Sequence, residues 1–390
     1  MPLFPDFSAR QKALKGSVFE KYLPLMRQQG DNLVRLHIGD AYRQPPYPLP
    51  IEKTFREAHP LFNRYCNTFG IPTLRSALSE KLSTDNALDF NEEEILLTAG
   101  AANALVVCTL GLLDPGERVM ILTPCWPFFP GMVRMAEGEG YETPFYQRLY
   151  DQPDLDIAAY LDHHLQPGTV ALYLNTPNNP SGKVLSRTQL EQVAGWAAKH
   201  NLWVLSDEAY DGMTYDDHQH ISIATLPGMR ERTLSIFTFS KVYMFAGIRL
   251  GYIAAAEPAI RALNKILVHL LYGPSTIGQQ MVVEAVQTRR SWYGDFVREC
   301  QGIRDDCLNR LDLNLQSPEG AYYLFFSTEP YLRGRGYDEL IRTCLEGGVS
   351  VAPGVDFGSD FRHHMRVCFA GEPPERMALA MARLGKILKG

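Results

Sequence analysis

Between residues 93 and 256 the chain alternates short, almost wholly apolar runs with stretches of helical spacing, and this alternation restricts its fold more than any other feature. The runs are EEILLTAG (93–100), RVMILTP (118–124), VALYLN (170–175), LWVLSD (202–207), RTLSIFTFS (232–240) and GYIAAA (251–256). A strand with one solvated face alternates apolar with polar residues; runs this continuous suit a sheet covered on both faces. Between them, AANALVVCTLGLL (101–113) has helical spacing, and SRTQLEQVAGWAAKH (186–200) offers Ser186 as an N-cap and a cationic finish. Strand–helix–strand repetition predicts an α/β domain with a largely parallel sheet. After about residue 258 the texture changes. Helical patterns fill 258–312, including RALNKILVHLL as a packed helix, and AYYLFFS (321–327), VSVAPG (349–354) and HMRVCFA (364–370) look like strands of a smaller sheet. The terminal PERMALAMARLGKILKG is a closing helix, and residues 1–50 hold too little apolar surface to fold alone, so they join the smaller unit.

Composition removes several classes of function. A chain of 390 residues, 45% hydrophobic and 21% charged, can bury two or three sizeable cores. A formal net charge of -6 gives no electrostatic footprint for nucleic acid or a membrane surface. The seven cysteines (66, 108, 125, 300, 307, 344, 368) are scattered, without a Cys-x-x-Cys pair, as in a reduced cytoplasmic protein. No apolar run approaches the roughly 20 residues that span a bilayer, and the opening residues lack a signal-peptide stretch, so a soluble cytoplasmic protein is expected. His218, His220, His363 and His364 find no third ligand at metal-binding spacing and are expected to be solvated loop histidines.

In parallel α/β sheets ligands bind beyond the carboxyl ends of the strands. Here those ends present Gly100-Ala101-Ala102, Pro124-Cys125-Trp126, Asn175 through Asn179, Asp207 with Tyr210, and Ser240 with Lys241, followed by Arg249. Free N–H groups at the start of helix 101–113, the hydroxyls of Thr238 and Ser240, and Arg249 suit a phosphate. Trp126 suits an aromatic ring, a partly buried Asp207 a ring nitrogen that must stay protonated, and Asn179 with Tyr210 a phenolate oxygen. A lysine kept partly neutral suits an aldehyde. Phosphate, ring, pyridine nitrogen, phenolate and aldehyde together describe pyridoxal 5′-phosphate.

The strings RYCNTFGIPTLRSAL, TAGAANAL, NTPNNPSG, SDEAYDG, FTFSKVYMFAGIRLGY, SPEGAYYLFF, APGVDFG and MRVCFA, in this order from about residue 36 to 370, resemble the class I/II aminotransferases. The resemblance implies the α/β fold of the fold-type I pyridoxal-phosphate-dependent transferases. In it a large domain (51–285), with a mainly parallel seven-stranded sheet, binds the cofactor, and residues 1–50 with 286–390 make a smaller α+β domain. It implies that Lys241 carries the cofactor as an aldimine and shuttles the substrate proton, that Asp207 pairs with the ring nitrogen, and that Tyr210 and Asn179 bond the phenolate oxygen. Trp126 matches the ring-stacking aromatic, with Phe128 and Phe129 as substitutes. Ala101, Ala102, Thr238, Ser240 and Arg249 would hold the phosphate, and Arg366 the substrate α-carboxylate, assisted by Asn179 and the backbone of Gly39. Tyr65 matches a tyrosine that reaches the phosphate of a neighbouring subunit, which implies a homodimer with shared sites.

The implied reaction moves an amino group between an L-amino acid and a 2-oxo acid. Elimination, cyclisation or oxidation of an amino acid on the same scaffold stays open, as does a non-catalytic regulator. Asp40-Ala41-Tyr42 stands where the family usually shows Glu-Pro-Asp, and FEKYLPLMRQQG (19–30) carries no specific signature. Tyr42, Tyr47, Phe128 and Tyr323 are candidates for an apolar side-chain pocket, and core packing explains them equally well.

Overall fold

The computed structural model describes residues 6–14, 16, 21–45 and 64–390. Its strands are β1 (Val34–Arg35), β2 (Ile95–Thr98), β3 (Arg118–Thr123), β4 (Glu139–Pro144), β5 (Thr169–Asn175), β6 (Trp203–Asp207), β7 (Thr233–Thr238), β8 (Gly251–Ala254), β9 (Tyr323–Ser327), β10 (Val349–Ser350), β11 (Ala352–Pro353) and β12 (His364–Cys368). Seven of them form one sheet in the order β2-β8-β7-β6-β5-β3-β4. All pairings are parallel except those of β8, which is antiparallel to both β2 and β7. The expected seven-stranded, mainly parallel α/β sheet is therefore present.

Both faces of the sheet are covered, as the continuous apolar runs require. Leu96, Val119, Ile121, Tyr173 and Leu205 pack into one core with the helix Ala101–Leu112. Met120, Leu122, Leu172, Leu174 and Val204 pack into another with the helix Arg187–Lys199. Period-two alternation thus sends neighbouring residues to opposite cores. The second helix starts as its sequence predicts: Ser186 Oγ accepts from Gln189 N–H at 3.2 Å, and Gln189 Oε1 accepts from Ser186 N–H at 3.0 Å, a reciprocal capping box. The sequence reading passed over β4. Its EGYETP is polar and lies at the sheet edge, beside β3 alone, where solvated faces and a proline are tolerated.

The reversal of β8 has a consequence for the site. Because β8 runs against its neighbours, Gly251 pairs with both Thr98 and Thr238, so the chain enters β8 at the end where β2 and β7 finish. Arg249 and the start of the helix Ala101–Leu112 meet there.

The run 349–354 is not one strand. β10 pairs in parallel with β1, whereas β11 joins the three-stranded sheet β11-β12-β9. The segment after β1 forms a strap between these sheets: Leu36 N–H donates to Ser350 O at 3.0 Å, Cys368 N–H to Leu36 O at 2.8 Å, and Tyr42 N–H to Ala370 O at 2.8 Å. Ahead of the strap, Tyr22 is buried and donates to Asp338 Oδ1 at 2.7 Å, which seats residues 21–29 on the helix Tyr337–Glu346. RALNKILVHLL lies mostly in the helix Glu257–Leu270, which buries Ile260, Leu263 and Leu267 as a packed helix should. Among the described residues no helix is long and apolar enough to cross a membrane, and all seven cysteines are free thiols.

Gly251 has no room for a side chain. An added Cβ would lie 2.7 Å from Phe237 O, 2.8 Å from Ala101 N and 2.8 Å from Gly100 C, all backbone atoms that cannot rotate away. Gly251→Ala is expected to cost about 1–3 kcal/mol in chemical denaturation, the usual range for overpacking. An unchanged midpoint would contradict this packing.

Candidate active site

Burying a charge is costly unless it is paired, so the buried charges that lack partners mark a site. Among the described residues nine charged side chains are buried: Arg75, Lys81, Glu94, Lys183, Asp207, Glu208, Arg289, Arg304 and Arg366. Seven have a partner able to carry the opposite charge within 4.0 Å: Glu93 for Arg75, Asp211 for Lys81, Arg230 for Glu94, Glu319 for Lys183, His220 for Glu208, Asp85 and Glu80 for Arg289, and Asp216 for Arg304. Asp207 and Arg366 have none. Both were singled out from the sequence.

Asp207 ends β6, directly opposite Asn175 at the end of β5. Its Oδ2 accepts from the Tyr173 hydroxyl at 2.7 Å and its Oδ1 from Ala209 N–H at 3.2 Å. Burial pushes its pKa up to about 6 against these hydrogen bonds. Asn175 joins two parts of the site. Its amide donates to the Asp207 main-chain carbonyl at 2.8 Å, while its Oδ1 accepts from Asn179 N–H at 2.7 Å.

The Asn179 side chain then receives Arg366, whose Nη1 donates to Asn179 Oδ1 at 2.9 Å. Arg366 Nη2 donates to the carbonyl of His37 on the strap at 2.7 Å, and its buried Nε has no partner. Tyr323 and Phe357 present their rings 4.3 and 4.9 Å from the guanidinium. Both anchors are neutral acceptors, so the charge remains available for an anion.

Lys241 Nζ donates to Gly39 O at 2.6 Å, and the rings of Tyr210 and Tyr322 lie 5.8 and 5.9 Å away. Burial first, then the cations Arg366 and Arg249, lower its pKa to about 8 despite the opposing charge of Asp40. The amine is thus half free base near pH 8. Tyr210 is buried and shares a 2.6 Å hydrogen bond with the Tyr323 hydroxyl, and burial raises its phenol well above the ordinary range. Gly39 must be a glycine, because an added Cβ would run into the Tyr323 hydroxyl.

A third cluster forms where β8 begins. Arg249 has φ 58, in the left-handed region that side chains seldom adopt. Its Nη1 donates to Ala246 O at 2.8 Å and lies 3.4 Å from Ser240 Oγ. Thr238 Oγ1 donates to Ser240 Oγ at 3.0 Å. The guanidinium also lies over Gly100, the N-cap of the helix Ala101–Leu112, which has no side-chain cap of its own. Unclaimed helix N–H groups, two hydroxyls and an arginine make an anion cradle.

Other expected residues have different neighbours. Trp126 meets Phe128 edge-on at 5.3 Å and packs against the core beneath β3. Phe128 is 55% exposed, and Phe129 is buried, stacked on Tyr173 at 3.7 Å. Tyr65 is 85% exposed and touches Tyr272 at a centroid distance of 4.7 Å, so within this chain it does not join the cluster. Tyr42 donates to Glu299 Oε1 at 2.6 Å, Asp40 accepts from Ala41 N–H at 2.9 Å, and Tyr47 lies outside the described residues.

The histidine expectation needs correcting. His220 is nearly buried at 2.8 Å from the buried Glu208, and His364 belongs to β12 and stacks on Phe325. Short-range spacing could not show that their loops fold onto the core. No group of metal-ligating side chains occurs among the described residues. Sequence reasoning missed Tyr173, Tyr322 and His37; the signal for His37 was a polar ring between Leu36 and Ile38, two residues before Gly39.

An aspartate aminotransferase of Pyrococcus abyssi is 32% identical over 370 residues, covering 92% of each chain. Aromatic-amino-acid aminotransferase 2 of Thermococcus litoralis is 31% identical over 369 residues, again 92% of each. The solved structure of aspartate aminotransferase from Thermus thermophilus with maleate superposes with a TM-score of 0.88 at 30% identity, covering 99% of this chain and 100% of that one. The family model for aminotransferase class I and II matches residues 32–384, and the chain belongs to that family.

Proposed function

We propose that this aminotransferase uses pyridoxal 5′-phosphate to move an amino group between an L-amino acid and a 2-oxo acid, with Arg366 binding the carboxylate common to both. The observation that carries this reading is Arg366: a buried, unpaired guanidinium fixed by two neutral acceptors, with its Nε unpartnered. A carboxylate is the anion whose two oxygens fit that edge.

The residues present fit the cofactor. The cradle of Ala101, Ala102, Thr238, Ser240 and Arg249 suits its phosphate, and an Asp207 carboxylate without a cation suits a protonated ring nitrogen. Tyr210 and Asn179 would bond its phenolate oxygen, and Trp126 would cover the ring. When bound, the cofactor supplies an electrophilic carbonyl carbon and an electron-withdrawing ring that acidifies the amino acid's Cα–H. Lys241 Nζ, which burial keeps partly neutral, would be the base that takes the proton from that Cα. Asp207 would hold the proton on the ring nitrogen, its carboxylate oriented by Tyr173 and Ala209. Arg366 and Asn179 fix the substrate carboxylate, and the Gly39 carbonyl closes the site from the strap.

The proposal extends to a cytoplasmic homodimer, with residues 51–285 as the cofactor-binding domain and 1–50 with 286–390 as the smaller one. Exposed Tyr65 and Tyr272, beside exposed Leu270 and Leu271, form an apolar patch suited to a second copy, whose cofactor phosphate Tyr65 would reach.

Two outcomes test the reading. Cofactor-loaded protein given single amino acids without an oxo acid is expected to release up to one 2-oxo acid per site for its substrates. Ammonia release in its place would contradict transamination. The second concerns Asp207, whose folded pKa of about 6 exceeds the ordinary 3.8. Between those values the folded state holds a proton that the unfolded chain has lost, so above pH 6 the ionised carboxylate weighs against folding by about 3 kcal/mol. Cofactor-free Asp207→Asn is therefore expected to melt above wild type at pH 8, with the gap closing toward pH 4, although it binds cofactor poorly. A uniform loss of stability at every pH would show that the carboxylate serves the fold.

A further inference from the structure

His37 lies on the strap two residues before Gly39, and its ring and its backbone engage different elements. The ring Nδ1 is 2.7 Å from Ser350 Oγ, and that hydroxyl is 3.3 Å from Val34 O. The imidazole and the Ser350 hydroxyl are thus hydrogen-bonded to each other, with the tautomer of the ring deciding which of them donates. Ser350 is fully buried in β10 and cannot drift. The His37 main-chain carbonyl faces the other way and accepts from Arg366 Nη2 at 2.7 Å. Arg366 therefore has one anchor on the loop after β5, through Asn179, and one on the strap, through His37.

We propose that His37, locked to β10 through Ser350, is a positioning residue that aims the Arg366 guanidinium at the substrate carboxylate. This rests on the reading of Arg366 as the carboxylate-binding group. Arg366 has two hydrogen-bonded anchors, and the strap carbonyl is one of them; that carbonyl stays in place only while the segment carrying it is fixed. The hydrogen bonds from Leu36 N–H to Ser350 O and from Cys368 N–H to Leu36 O fix the strap before residue 37, and the imidazole carries the fixation through residue 37 itself. Burial, followed by the charges of Arg366 and Arg35, lowers the imidazole pKa to about 4, so the ring stays neutral and adds no charge beside the guanidinium at neutral pH. An aimed guanidinium saves reorganisation at every binding event without altering proton transfer at Lys241. The role belongs to binding.

The test is steady-state kinetics of cofactor-loaded enzyme with the amino acid and oxo acid that turn over fastest, for His37→Phe, His37→Asn, Ser350→Ala, the double variant His37→Phe/Ser350→Ala, and Arg366→Lys. His37→Phe and Ser350→Ala are each expected to raise KM for both substrates about tenfold, as loss of roughly 1.4 kcal/mol of carboxylate binding would. Their kcat should stay within about twofold of wild type, and the visible absorbance of the bound cofactor should not move. The double variant should be no worse than either single one, because both break the same bond. His37→Asn, which keeps a donor, should recover most of the affinity. A fall in kcat at unchanged KM, additive losses in the double variant, or wild-type KM in both single variants would overturn the proposal; if His37→Phe does not fold, Ser350→Ala decides it. Arg366→Lys separates the two readings. Unchanged KM in that variant removes the carboxylate reading and this proposal together, whereas raised KM there with wild-type KM in the His37 and Ser350 variants removes this proposal alone.

Discussion

The site depends on an electrostatic imbalance that the rest of the protein avoids. Buried charges elsewhere are neutralised locally: Lys81 by Asp211, Lys183 by Glu319, Arg304 by Asp216. Asp207 and Arg366 are buried to a similar degree with hydrogen bonds but no counter-charge among the described residues. Hydrogen bonds orient such groups without discharging them, so each keeps its attraction for an oppositely charged partner. A cation presented to Asp207 and a carboxylate presented to Arg366 would each complete what the fold leaves open. The ligand reading follows from that incompleteness more directly than from any motif.

What holds the unpaired groups in register is the sheet. Parallel pairing places Asn175 opposite Asp207, and the Asn175 amide then ties the Asp207 backbone to Asn179 and so to Arg366. The antiparallel β8 returns Arg249 to the same end, over the uncapped start of the helix Ala101–Leu112. The strap supplies the opposite wall, with Gly39 O on Lys241 and His37 O on Arg366. All of these contacts but the local one between Asn175 and Asn179 join segments far apart in sequence, so the geometry reports the fold's closure as much as local structure.

Much of this was legible in the sequence, for identifiable reasons. Strands buried on both faces have to be continuous apolar runs, and six of the seven central strands announced themselves that way. β4 did not, because an edge strand is free to be polar. The capping box at Ser186 was legible because it is local. The division of 349–354 between two sheets was not, since pairing partners are a tertiary choice. Among site residues, Lys241, Asp207, Asn179 and Arg249 stand at strand ends or just outside them, and Arg366 is the one charge in the middle of β12, so each interrupts an apolar run. Tyr173 and Tyr323 sit inside apolar runs and look like core residues; only the fold shows Tyr173 donating to Asp207 and Tyr323 bonded to Tyr210. His220 misled for the opposite reason, because a polar loop sequence folded back onto a buried carboxylate.

The central claim is that Arg366 waits as a fixed, uncompensated receptor for the substrate carboxylate. A crystal structure of the cofactor-loaded protein with an unreactive carboxylic acid tests it most directly. The account predicts a carboxylate accepting from Arg366 Nε and a neighbouring Nη, with the bonds to Asn179 and His37 preserved. A carboxylate bound elsewhere in the cleft, with Arg366 Nε still unpartnered, would contradict it.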